Sequence, residues 1–197
     1  VDDIVVVDFN SDRNIQNFLK HNIPEQFFKK INVIEVVDSV PWILSYCYNI
    51  AFIFAKNERI LKLDADYLID DGFIFHLQSD CNDDEMFYTF DWRDFEDKND
   101  NRRHYNGLFY VTKSQLNKTS YFNHNICFYG HDDCDLKAKL GQKFKWGKFN
   151  KNVLNYIKHI DGNDTERLSA SGYSDEPFET HSDRNINFFG YVCVVNN

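Results

Sequence analysis

The chain has 197 residues, 43% of them hydrophobic and 17% aromatic, which supplies a full core and excludes a disordered polymer. A formal net charge of −9 with scattered Lys and Arg lacks the basic footprint of a nucleic-acid binder; such acidic charge either holds divalent cations or keeps the protein soluble. The five cysteines, Cys47, Cys81, Cys127, Cys134 and Cys193, form no C-x-x-C pair, which argues against a zinc or redox motif and for free thiols in a reducing, cytoplasmic compartment.

The opening Val1-Asp2-Asp3 is not a signal peptide, and the chain is expected to begin inside a longer protein. Ile4-Val5-Val6-Val7 is a continuous β-branched run, as in a strand buried on both faces. It ends in the polar loop Asp8-Phe9-Asn10-Ser11-Asp12, at the strand edge where open α/β sheets bind ligands. A helix is predicted over Asn14 to Lys20 and a strand over Val33 to Val37. Ser39-Val40-Pro41 reads as a helix start with Pro41 in the first turn, and this helix is expected to run to about Lys56 and close on a left-handed Asn57. The uncharged run Ser39 to Ala55 is too short for a membrane span and is interrupted by Pro41, Ser45 and Asn49, so it reads as a buried helix.

Arg59 to Leu63 is a buried strand that stops at Asp64-Ala65-Asp66. Strands are also predicted over Met86 to Phe90 and Leu108 to Val111, separated by a charged loop, Asp91 to His104, that has no apolar periodicity and is expected to be mobile. A helix over Asp133 to Leu140 and a closing strand over Phe188 to Val195 complete the chain. Strands alternating with helices argue an α/β layered fold.

Asp64-Ala65-Asp66 carries the clearest chemistry. In an extended segment, side chains two apart point to the same side, so two carboxylates stand together directly after a buried strand. Paired oxygen donors of this kind suit Mn²⁺ or Mg²⁺, and a metal held there neutralises a diphosphate leaving group.

The stretch from Cys47 to Asp66 resembles the family 2 glycosyltransferases and their relatives of the GT-A fold: Asn49, Ala51, Ala55, Glu58, Asp64 and Asp66 match in register, whereas Tyr48 stands where Arg is common and Asn57 where Gly is. Phe128-Tyr129-Gly130-His131-Asp132-Asp133-Cys134-Asp135-Leu136 is similar to the "G-W-G-x-E-D-x-D-L" segment of inverting galactosyltransferases, with Phe128 in the place of the first Gly. The resemblance implies that Asp133 is the general base, that Asp132 binds the acceptor, and that Tyr129 lines the sugar pocket. It implies further that His181, in His181-Ser182-Asp183-Arg184-Asn185, is a third metal ligand. By the same resemblance Asp8 contacts the nucleoside, and Asn106-Gly107 floors the donor-sugar site beside Asn49. Trp92 is a stacking surface for the acceptor, while Trp42 and Trp146 read as core.

The expected architecture is therefore a GT-A α/β domain over residues 1–197, with a mixed, mostly parallel central sheet flanked by helices, lacking the upstream first strand of the family. The expected activity is metal-dependent, inverting transfer from a UDP-sugar to a glycan, protein or small-molecule hydroxyl, with no nucleic acid and no membrane span involved. Two alternatives share the paired acids: a metal-dependent nucleotidyltransferase, against which the absence of G-x-x-x-x-G-K and G-x-G-x-x-G counts, and an inactive nucleotide-sugar-binding domain.

Overall fold

The computed structural model describes residues 3–9, 11–37, 43–64, 67–95, 105–126, 131–159 and 193–195. In chain order the elements are β1 (Ile4–Phe9), α1 (Ile15–Asn22), α2 (Glu25–Phe28), β2 (Ile31–Val36), α3 (Leu44–Phe54), β3 (Arg59–Leu63), β4 (Tyr67–Ile69), α4 (Asp71–Asp80), β5 (Met86–Thr89), β6 (Phe109–Thr112), α5 (Lys113–Thr119), α6 (Asp132–Gly141), β7 (Lys145–Gly147), β8 (Ile157–His159) and β9 (Cys193–Val195). Short 3₁₀ turns cover Trp92–Asp94 and Lys151–Tyr156. Among the described residues no helix is long and apolar enough to cross a membrane.

Seven of the described strands form one sheet in the order β2-β1-β9-β3-β6-β5-β7, and β4 pairs with β8 separately. β1 with β2 and β5 with β7 are parallel, and the other neighbours are antiparallel. β6 and β9 therefore run against the other five strands. The sheet is mixed and most strands share one direction, as expected, but the two reversed strands make antiparallel ladders the more frequent pairing. β1 and β3 point the same way on either side of β9, so their carboxyl ends lie along one edge.

Strand alternation divides the core into two layers. Ile60 of β3 joins Phe52, Leu116 and Leu136 of α3, α5 and α6 on one face. Leu61 and Leu63 join Phe73 and Leu77 of α4 on the other. By the same alternation Lys62 lies on the Ile60 face, opposite Phe109 of β6 in the register.

Two details of α3 differ from the sequence expectation. The helix begins at Leu44, with Ile43 as a cap that offers no side-chain hydrogen bond; residues 38–42 lie outside the described residues. It ends on an extended Ala55, and Asn57 is not left-handed. The last carbonyls have another partner: Lys113 Nζ of α5 donates to Ile53 O at 3.2 Å and Ala55 O at 2.6 Å, so no left-handed cap is needed to satisfy them.

Asn49 sits inside α3 and is buried. Its Nδ2 donates to Phe122 O at 2.9 Å and its Oδ1 accepts from Phe122 N at 2.9 Å, so one side chain satisfies both backbone groups of a residue beyond α5. Asn49→Ala leaves a buried donor and acceptor without partners and is expected to destabilise the fold by about 2–4 kcal/mol in urea unfolding. By contrast Asn14→Ala, which removes the exposed cap of α1, should cost about 1 kcal/mol. Equal effects would mean that Asn49 does not tie α3 to the chain after α5.

Candidate active site

β3 delivers Asp64 to its carboxyl end, and the first turn of α6 delivers Asp132 and Asp133. α6 opens on His131 in the left-handed region (φ 66°, ψ −16°), and no side chain caps it. Its first turn carries Asp132, Asp133 and Asp135, which suits the partial positive charge of a helix N-terminus. The helix N-terminus thus favours Asp132 and Asp133, the strand end supplies Asp64, and one lysine faces all three.

That lysine is Lys62. It is fully buried, yet its Nζ is within 2.6 Å of Gly107 O, 3.1 Å of Asp133 Oδ1 and 3.1 Å of Asp64 Oδ1. The Tyr48 ring lies 4.1 Å from the ammonium, and the Tyr48 hydroxyl donates a hydrogen bond to Asp64 Oδ1. Gly107 is the point of closest approach. A Cβ there would stand 2.7 Å from Asp64 Oδ2, 3.2 Å from Asp133 Oδ2 and 3.3 Å from Lys62 Nζ. Glycine is required here because charged side chains crowd the backbone.

One ammonium faces three carboxylates, and the balance sets their protonation. Burial first, and Asp132 and Asp64 after it, raise the Asp133 carboxyl against the lowering influence of Lys62, to about 7 in all. Burial also raises Asp132, and Lys62 opposes this. Asp132 Oδ2 is buried without a hydrogen-bond partner among the described residues. Burial works against a charged Lys62, but Asp133, Asp64 and Asp132 outweigh it and hold the lysine protonated above its ordinary value. Tyr48 is kept a neutral phenol, by burial first and then by Asp64.

A second ionic contact fixes the other side of α6. Lys137, one turn beyond Asp133, donates to Asp91 Oδ2 at 2.7 Å and lies 3.6 Å from the Trp146 ring centroid. Arg93 grips the same carboxylate through Nε (2.9 Å) and Nη2 (2.7 Å), and these hydrogen bonds hold buried Asp91 well below the usual carboxylate range. A groove of about 320 Å³ opens between this contact and the acid cluster, lined by Phe87, Phe90, Asn106, Asp133, Lys137 and Trp146. Trp146 is half-buried, packing on the core while lining the groove.

Of the residues singled out in the sequence, Asp64, Gly107, Asp132 and Asp133 meet in one cluster, with Asn106 next to it on the groove wall. Asp8 is buried at the end of β1, on the same sheet edge, and its Oδ1 accepts from Ser11 N at 3.2 Å in a turn. The Asn49 amide is engaged by the Phe122 backbone. Asp66, Tyr129 and His181, and the side chain of Trp92, lie outside the described residues. Lys62, the Tyr48 hydroxyl and the Asp91–Arg93–Lys137 contact were not anticipated. A lysine inside an apolar strand was the available signal for the first.

A divalent cation suits this donor chemistry. Among the described residues the carboxylates outnumber the ammonium and Asp132 Oδ2 lacks a partner, and hard oxygen donors are what Mg²⁺ and Mn²⁺ prefer. Among the described residues no three potential ligands are grouped to hold a metal by themselves. Asp64 is the described member of the predicted ligand set.

Comparison with known proteins places the fold. No family model matches the chain, and no curated protein matches it. Among solved structures it is similar to the catalytic domain of Drosophila β1,4-galactosyltransferase 7 in complex with xylobiose, at 14% identity and a TM-score of 0.56, covering 96% of this chain and 81% of that one. It is also similar to a mutant of that enzyme in complex with manganese, UDP-Gal and xylobiose, at 13% identity and a TM-score of 0.52, covering 91% and 83%. The chain has the GT-A fold.

The crowding at Gly107 gives a direct test of the site's geometry. Gly107→Ala should destabilise the protein by about 1–3 kcal/mol in thermal or urea unfolding, because the methyl group meets side chains that are pinned by one another. Wild-type stability in this variant would mean that Asp64, Asp133 and Lys62 do not converge on Gly107.

Proposed function

We propose that the chain is a divalent-metal-dependent glycosyltransferase that moves a sugar from a UDP-sugar to an acceptor hydroxyl with inversion. The supporting observation is the meeting of Asp64, at the carboxyl end of β3, with Asp133, on the first turn of α6, across a glycine on a GT-A fold. The structural neighbour crystallised with manganese, UDP-Gal and xylobiose supplies the kind of ligand set this reading needs.

In this reading Asp64, with Asp66 and His181, holds Mn²⁺. When bound, the metal neutralises charge that develops on the diphosphate. The acceptor lies in the groove beside Asp133 and presents its hydroxyl to that carboxylate, with Asp132 positioning it. Asp133 takes the hydroxyl proton as the acceptor oxygen bonds to the anomeric carbon. The bond from that carbon to the diphosphate oxygen breaks, and UDP leaves with the electron pair. A base is most effective when its pKa is close to the working pH, and the Asp133 value of about 7 meets that condition. Asp8 binds the nucleoside, Asn49 and Asn106-Gly107 support the donor site, and Tyr129 and Trp92 provide aromatic surface for the sugars. Release of UDP separates this activity from a nucleotidyltransferase, which releases pyrophosphate, and from a binding domain, which releases neither.

Calorimetric titration of UDP, with and without Mn²⁺, tests the donor site. UDP should bind with Mn²⁺ and lose at least about tenfold in affinity without it or in Asp66→Ala. Metal-independent UDP binding that Asp66→Ala leaves intact would remove the metal role. The base gives a pH dependence of defined sign. Asp133 accepts a proton only when ionised, so kcat/KM should rise as pH passes through about 7 and level off above it. A profile that falls across the same range would exclude Asp133 as the base.

A further inference from the structure

Lys62 is used neither by the sequence motifs nor by the proposed reaction, yet it occupies the centre of the site. Its neighbours Ile60, Leu61 and Leu63 are apolar core residues, and a methionine would occupy similar volume without burying a charge. The charge is therefore to be explained by the groups it faces. An ammonium has three N–H donors, and Lys62 meets three acceptors: Gly107 O, Asp133 Oδ1 and Asp64 Oδ1. The same Asp64 oxygen receives the Tyr48 hydroxyl. A carboxylate expected to bind a dication is thus already engaged by an internal cation.

We propose that Lys62 is a positioning residue that holds Asp64 and Asp133 on either side of Gly107 and competes with the divalent ion for Asp64. The inference rests on the glycosyltransferase reading for the identity of the ion. A dication approaching Asp64 meets a fixed positive charge that cannot move into solvent, and like charges a few ångströms apart repel strongly in a poorly solvated site. The metal alone is therefore held weakly. A nucleotide diphosphate brings negative charge that offsets both cations, so metal and nucleotide bind together. Lys62 makes metal loading depend on the presence of donor, and it keeps Asp133 in place whether or not the metal is bound.

The test is titration of Mn²⁺ into the full chain, followed by calorimetry or by the paramagnetic signal of free Mn²⁺, with and without UDP. In the wild type, UDP should tighten Mn²⁺ binding. In Lys62→Met, Mn²⁺ alone should bind about tenfold more tightly than to wild type, and the added effect of UDP should shrink. Lys62→Arg, which keeps the charge, should not gain affinity. A lysine with only a structural role would weaken metal binding on removal, so unchanged or weaker Mn²⁺ affinity in Lys62→Met overturns the proposal. If that variant does not fold, because its acids have lost their counter-ion, the same comparison is made between Asp133→Asn and Lys62→Met/Asp133→Asn. There too the lysine substitution should tighten Mn²⁺ binding, and the absence of that gain overturns the proposal. A wild type that binds neither UDP nor Mn²⁺ in the other's presence defeats the donor reading. Tighter Mn²⁺ binding on loss of Lys62 then still identifies the lysine as the competing cation.

Discussion

A buried ammonium remains charged only where several acceptors enclose it, and around Lys62 those acceptors come from distant parts of the chain. Gly107 lies 45 residues away and Asp133 lies 71 away. Removing the lysine would leave three acids crowded without a counter-ion, and removing the acids would strand a charge among the Tyr48, Phe109 and Phe122 rings. The position of α6, the glycine before β6 and the aromatic packing beneath β3 all serve this one arrangement. It is also what brings a strand end and a helix start together in one cluster.

The fold supplies rigidity on both sides of the cluster. Asn49 ties α3 to the backbone of Phe122, which keeps Tyr48 beneath the lysine. On the far side of α6, Asp91 bridges Lys137 and Arg93 and fixes the helix to the end of β5. Asp133 is therefore held from two directions, with the groove between them. Its raised pKa follows from this confinement: burial and neighbouring acids make the ionised form costly, and the lysine prevents the cost from becoming prohibitive.

The strand ending in Asp64 and the acidic opening of α6 could be read from the sequence because both are local. A buried apolar run stops at a carboxylate, and a cluster of acids precedes helical spacing. The GT-A fold followed from the resemblance of these segments to glycosyltransferase motifs, and the structural neighbours bear it out. Lys62 could not be read in this way, because one lysine in an apolar strand gives no indication of which distant oxygens enclose it. Tyr48 showed only as a departure from arginine, and its role became visible once its hydroxyl was seen on Asp64. The end of α3 was misread because Asn57 supports a left-handed cap by local rules, while Lys113 satisfies the helix carbonyls from another element. Asn49 and Gly107 stood out in the sequence for the donor site; the structure adds that Asn49 holds the Phe122 backbone and that Gly107 lies against Asp64, Asp133 and Lys62.

The most direct measurement is sugar transfer by wild type and Asp133→Asn, followed as UDP release from a UDP-sugar panel with Mn²⁺ and acceptors, beside UDP affinity measured on the same samples. The predicted result is a loss of transfer of about 10²- to 10⁴-fold with UDP affinity nearly unchanged, as expected when a general base is removed from an intact donor site. Transfer at the wild-type rate in Asp133→Asn would contradict the assignment of the Lys62-centred acids as the reacting centre.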